Sequence, residues 1–117
     1  MKKIIIPLLI LTVVFAFTGI GQAQTKIAVV YATGGLGDQS FNDSAHRGLN
    51  RAEEELGITF NYAEPGAVSE YQNYLRQFSA TGQYELIISI GFDQADALSS
   101  VSSQFSDQKY AIVDAVV

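Results

Sequence analysis

From residue 26 onward, short apolar runs alternate with stretches in which apolar positions recur every three or four residues. Lys26 to Ala32 (KIAVVYA) is rich in β-branched residues and bounded by glycines at 34, 35 and 37, which predicts a first strand. Phe41, Ala45, Leu49, Ala52 and Leu56 then keep helical spacing behind Ser40 and Asp43, an S-x-x-D capping pattern, and Gly57 supplies the C-terminal cap. Ile58 to Ala63 alternates apolar and polar positions as a second strand and runs into the Pro65-Gly66 turn. A second capping pattern, Ser69 with Gln72, opens a helix whose inner face is Tyr71, Tyr74, Leu75 and Phe78, closed by Gly82. Leu86 to Ile90 is almost unbroken in its hydrophobicity, as suits a strand buried on both faces at the centre of a parallel sheet. Asp93 is placed to cap a third helix with Ala95, Leu98, Val101 and Phe105 inward, and Tyr110 to Val113 reads as a fourth strand. Strand and helix therefore alternate as βαβαβαβ, and right-handed crossovers fold that order into an α/β domain with a doubly wound parallel sheet. The sequence stops at Val117 on an apolar strand, so one face of the sheet is expected to lack a covering helix and the chain reads as cut short.

The first 23 residues follow a different plan. Lys2 and Lys3 precede an apolar run from Ile4 to Phe17, and Gly21 and Ala23 stand in an A-x-A-like spacing, which together make a secretory signal peptide over residues 1–23 and a mature domain over 24–117. The competing reading is a retained anchor, because Ile4 to Ile20 carries no charge and bilayer spans need about 17 to 25 residues. Either way the domain is expected to be exported, to the periplasm or the outer face of the cytoplasmic membrane. Removing Lys2 and Lys3 takes the formal charge from −5 to −7, which sets the domain against nucleic acid as a partner. Zero cysteines exclude disulfides, thiolate metal sites, a cysteine nucleophile and a lipid-modified cysteine. Tethering, if any, falls to the apolar segment itself.

In open parallel sheets ligands bind beyond the carboxyl ends of the strands, so the informative residues are those that follow each apolar run. The segment after the first strand is the richest, from Gly34 through Asp38 to Phe41, Asn42 and Asp43. A ring at Phe41 can stack on a flat ligand and the Asn42 amide can donate and accept at once, yet Phe41 also continues the Ala45 and Leu49 stripe as a core residue. Asp114, directly behind Ala-Ile-Val, is either a surface strand end or a site residue. Asn42-Asp43-Ser44 matches a glycosylation sequon at a helix start, and His46, the single histidine, has polar sequence neighbours and reads as a solvated helix residue.

Enzymatic constellations fail by absence. One histidine and no cysteine leave no zinc site, and neither a G-x-S-x-G elbow nor a Walker G-x-x-x-x-G-K-[ST] occurs, so neither a metal nor another cofactor is expected. The rival from another class is a dinucleotide-binding oxidoreductase domain, with Gly35-x-Gly37-x-x-Ser40 after a strand and Glu64 at the end of the next. Its third glycine is missing, and Asp38 would set a negative charge where a pyrophosphate must sit.

The segments KIAVVYATGGLGDQSFNDSAHRGLNRAEEELGI, YAEPGAVSEY, YELIISIGFDQADAL and KYAIVDAVV, in that order, resemble the N-terminal third of the basic membrane protein (BMP) family, the purine-nucleoside-receptor-like substrate-binding proteins of ABC transporters. The resemblance is collinear from Lys26 to Val117 and is carried most specifically by the G-D-x-S-F-N-D run and the later G-F and I-V-D segments. It implies the first lobe, in part, of a type I periplasmic-binding-protein fold, no catalysis, a purine nucleoside as ligand and an ABC permease as membrane partner. A sugar or polyol is the alternative ligand, since type I receptors serve those as well. By motif position it implies that Phe41 stacks on the base, Asn42 hydrogen-bonds the ligand, Asp114 binds the ribose hydroxyls, and Gly91 and Phe92 line the cleft, with Asp38 of the same run joining the ligand-binding set. Family members are much longer and usually carry a lipobox cysteine, so the second lobe, with its opposing ring, is expected to be missing here.

Overall fold

A computed structural model describes residues 23–117, so the expected signal segment over residues 1–23 lies, but for its last residue, outside the described residues. Four strands and three helices follow in the order β1 (Lys26–Val30), α1 (Phe41–Leu56), β2 (Thr59–Ala63), α2 (Tyr71–Thr81), β3 (Leu86–Ile90), α3 (Ala95–Ser102) and β4 (Tyr110–Val113). Single 3-10 turns, Val68–Glu70 and Phe92–Gln94, lead into α2 and α3. All strand pairs are parallel in the order β2-β1-β3-β4, with Ala28 opposite Asn61 on one side and Ile87 on the other. The expected α/β architecture is therefore present, element for element.

Period-two alternation sorts the strand side chains to two faces. Ala28, Val30 and Ile87 meet Tyr71 and Leu75 of α2 and Leu98 and Val101 of α3, all essentially without solvent contact. On the opposite face Val29, Tyr31 and Ile90 meet α1 through Leu49, with Ile27, Ala45, Phe60 and Ile88 partly buried around them. Among the described residues, two helices thus cover one face and α1 alone covers the other. In β4, Tyr110 and Ile112 pack under α2 and α3, whereas Ala111 and Val113 on the α1 side are exposed. Ile88 is only partly buried for the same reason, so β3 is not sealed on both faces as its unbroken apolar run suggested.

The helix stripes differ from expectation at their ends. Leu49 is buried at the middle of α1, but Phe41 and Leu56, expected as its outer turns, are 45% and 74% exposed. A straight helix on a twisted sheet leaves its ends beyond the strands, and these two overhang opposite edges. Gly57 and Gly82 do close α1 and α2 in the left-handed conformation. Ser40 does stand at the N-cap of α1, whereas α2 and α3 begin behind Glu70 and Gln94 rather than behind Ser69 and Asp93. The Ser40 side chain makes no capping bond, and Asp38 does that work. At α2 the Glu70 carboxylate accepts from Gly66 N at 2.8 Å, while Gln72 reaches instead to Ser100 on α3. Before α3, Asp93 accepts from the Tyr71 hydroxyl at 2.8 Å rather than from the backbone it was expected to cap.

His46 is not a solvated residue either. Its Nδ1 lies 2.7 Å from the hydroxyl of buried Tyr31, and its ring sits edge-on to Phe60 and Tyr62 with centroids 5.7 and 5.4 Å away. Burial, with the repulsion of Tyr62 and Glu64 adding to it, pushes the Tyr31 phenol up to about 12. Since the folded state holds this proton more tightly than the unfolded chain, its contribution to stability is complete below the ordinary tyrosine range near pH ~10 and is lost as the pH rises through the folded value. Urea unfolding is therefore expected to show stability falling between about pH 10 and pH 12, with a shallower fall in Tyr31→Phe. A parent stability that stays flat across that window contradicts this assignment.

Candidate functional site

The carboxyl ends of β1, β3 and β4 open on the same edge of the sheet, where crossovers diverge and leave a crevice. The segment after β1 is built around one buried side chain. Asn42, 1% exposed at the start of α1, accepts from Ala32 N through Oδ1 at 2.9 Å and donates through Nδ2 to Ala32 O and Gly35 O, each at 3.0 Å. A primary amide laid against a peptide group in this way copies a strand-to-strand pair. It explains why β1 ends at Val30, two residues short of the expected Ala32: Tyr31 N still reaches Ala63 O on β2, and the next peptide is taken over by Asn42.

Around that clip, acidic side chains bind the loop's own amides. Asp38 accepts from the backbone N–H of Ser40, Asn42 and Asp43 at 2.9, 2.9 and 3.1 Å, and the Ser40 and Asn42 amides hold its carboxyl below the usual carboxylate range. Asp43 reaches back to Gly37 N and Gln39 N at 2.7 and 2.9 Å. Glu64, from the end of β2, accepts from Leu36 N at 2.7 Å, and a Cβ on Gly35, which sits at φ 63°, would lie 2.7 Å from its Oε1 and push that carboxylate aside. The positive end of α1 is therefore filled by the chain's own carboxylates.

Four of the expected site residues meet at one hollow of about 220 Å³, lined by Ala32, Phe41, Gly91, Phe92, Asp93 and Asp114. Phe41 and Phe92 are 45% and 69% exposed, far more than isolated core residues of their size. Gly91 adopts φ 108°, and a Cβ there would lie 2.9 Å from Asp93 Oδ1 and 3.4 Å from Ala32 Cβ. Its N–H donates to Val113 O at 3.1 Å and so joins the β3 end to the β4 end. Asp114 follows at φ 72°, a left-handed conformation that is uncommon away from glycine and turns the chain off the sheet. An apolar groove of about 380 Å³ continues from Phe41 along Ser40, Ser44, Ala45, Ile90 and Val113, the uncovered sheet face noted above.

The two remaining candidates do not line the hollow. Asn42 is closed inside with both amide protons committed to the backbone, so in this arrangement it shapes the loop and has none to offer a ligand, nor is it open to a glycan. Asp38 likewise turns both oxygens onto backbone amides. Conversely, Asp93 lines the hollow although the spacing marked it only as a helix cap. The available signal was its place: it is the first acid after the buried third strand, the same relation that singled out Asp114.

A family model described as "ABC transporter substrate-binding protein PnrA-like" matches residues 25–117. The chain belongs to this family. Among relatives of the PnrA-like chain is an uncharacterized lipoprotein from Pyrococcus furiosus, 37% identical over 97% of this chain and 31% of that protein. Another is the ABC transporter nucleoside-binding protein BmpA of Lactococcus lactis, 31% identical over 83% of this chain and 29% of its own length. Among solved structures, an ABC transporter solute-binding protein from Aeropyrum pernix superposes with a TM-score of 0.75 at 36% identity, covering 80% of this chain and 25% of that one. The PnrA-like chain thus spans a third or less of these relatives, and its sheet corresponds to part of one lobe of a periplasmic-binding-protein fold. The family is one of transporter binding components, not of enzymes.

Asp38 provides a direct test of how the loop is held. A carboxyl whose folded value is depressed stabilises the fold fully above its unfolded value, and that contribution disappears as the pH falls through the folded one. Asp38→Ala is expected to lower the Tm by several degrees at neutral pH, with the gap to the parent closing as the pH falls from about 7 to about 2. A gap that is the same at both ends would show that Asp38 does not cap α1 as an anion.

Proposed function

We propose that this chain forms ligand-binding surface in an extracytoplasmic substrate-binding protein of an ABC importer, and that the ligand is a purine nucleoside handed on to a membrane permease. The observation that carries this reading is the hollow itself: an exposed phenylalanine, Phe41, beside a carboxylate, Asp114, with no basic side chain among the lining residues. A nucleoside is a flat base with apolar faces joined to a sugar bearing neighbouring hydroxyl donors. Ring stacking on Phe41 is worth about 1 to 3 kcal/mol. The Asp114 carboxylate, an acceptor only, takes ribose hydroxyls in charge-assisted bonds worth about 1.5 to 3 kcal/mol each. The name of the Lactococcus lactis relative, a nucleoside-binding protein, points the same way. Export fits the lipoprotein relatives and the N-terminal pattern of Lys2, Lys3 and the apolar run that follows.

The dinucleotide reading loses its basis, because the amides a pyrophosphate would need at the start of α1 are already bound by Asp38 and Asp43. A sugar or polyol would use Asp114 without needing Phe41. Titration with adenosine, inosine, ribose and glucose, followed by NMR so that millimolar affinities are read, separates the two. Nucleosides are expected to bind and free sugars not, with Phe41→Ala and Asp114→Ala each weakening nucleoside binding roughly tenfold or more, at about 1.4 kcal/mol per decade. Sugar binding that is indifferent to Phe41→Ala would favour the polyol reading, and nucleoside binding unchanged in both variants would remove the site assignment.

A further inference from the structure

Asp93 stands at the junction of three elements. Tyr71, the first residue of α2 and fully buried, donates its hydroxyl to Asp93 Oδ2 at 2.8 Å and accepts from Thr33 N in the β1 loop at 2.9 Å. One phenol therefore ties the loop that leads to Phe41 to the loop that carries Gly91 and Phe92. The second carboxylate oxygen, Oδ1, takes no hydrogen bond from any described residue. It lies against the bare Cα of Gly91, where a Cβ would come within 2.9 Å, and both residues line the hollow with Phe41 and Asp114. A side chain at position 91 would fill this place. Two acidic residues thus line the hollow, one of them with its carboxylate anchored on a buried phenol, and no basic residue is among those that line it.

We infer that Asp93 is a specificity-determining residue of the site, held by Tyr71 so that Oδ1 accepts a ligand hydroxyl and the paired charge of Asp93 and Asp114 refuses phosphorylated ligands. The inference rests on the nucleoside reading and adds to it what selects nucleoside from nucleotide. A phosphate brought to two carboxylates without a counter-charge is repelled in a partly desolvated setting, where the repulsion is larger than in water. A neutral polyhydroxylated ligand has donors for both.

The test compares inosine and adenosine with their 5′-monophosphates, titrated by NMR at low ionic strength into the full chain and into single variants. Asp93→Asn keeps an oxygen for the Tyr71 hydroxyl and the side-chain shape but removes the charge. It is expected to narrow the preference for nucleoside over monophosphate about tenfold, the factor that corresponds to about 1.4 kcal/mol. Tyr71→Phe, which frees the carboxylate, is expected to narrow it less. Should Tyr71→Phe fail to fold, Asp93→Asn decides alone. Asp107→Asn removes the same charge from an exposed site before β4, at the far end of the strands, and should leave the parent ratio. If Asp93→Asn keeps the parent preference while Phe41→Ala still loses nucleoside, the role of Asp93 is overturned and the nucleoside reading stands. If the parent binds neither nucleoside, both fall together.

Discussion

The pairing of the Asn42 side-chain amide with the Ala32 peptide is the constraint on which the site depends. β1 is the second strand of the sheet and must stop somewhere, and an ordinary stop would leave its next N–H and C=O to find partners in solvent or in the loop. Asn42 answers both groups at once and adds Gly35 O, so the loop leaves the sheet at a fixed point and returns into α1 at a fixed angle. Phe41 precedes Asn42 by one residue and is therefore held outside as firmly as Asn42 is held inside. The ring is 45% exposed where its neighbour is 1% exposed, at the end of α1 that overhangs the strands.

Acidic residues complete the arrangement by turning inward on the backbone. Asp38, Asp43 and Glu64 bind six amides between Leu36 and Asp43, which leaves the helix N-terminus no open amide at these positions for an anion, and Asp93 and Asp114 remain to face the hollow. Carboxylates near one another thus divide into two roles according to whether backbone N–H groups are within reach. The first group fixes geometry and the second lines the hollow. On the proposed reading, the ligand matched to this edge carries hydroxyl donors and an apolar ring and no negative charge.

Much of this was legible in the sequence, and for identifiable reasons. Strand and helix order followed from the period of hydrophobicity because each element buries one face against a single sheet, and the glycines at 57 and 82 closed helices where a left-handed residue was needed. Side-chain direction was less legible. Spacing alone could not tell that Ser40 would yield its capping place to Asp38, since both precede the helix and only the turn through Gly37 and Gln39 decides which oxygen faces the amides. Nor could it distinguish Phe41 as core from Phe41 as cleft wall, because that depends on how far α1 overhangs β1. Asn42 binds the backbone at Ala32, 10 residues away in the chain, and Asp93 takes the Tyr71 hydroxyl, 22 residues away, and spacing within one element shows neither partner.

Asn42→Leu isolates the central constraint, since it keeps the size but removes the acceptor of the Ala32 N–H together with both donated hydrogen bonds. Breaking a buried polar pairing of this kind costs about 1 to 3 kcal/mol. Hydrogen exchange followed residue by residue in parent and variant measures it where it acts. The account predicts that the Ala32 amide, together with those of Leu36 and Gly37, loses protection beyond the change seen at Leu75 in the core. Equal protection at Ala32 in the two proteins, with no loss of global stability, would contradict it.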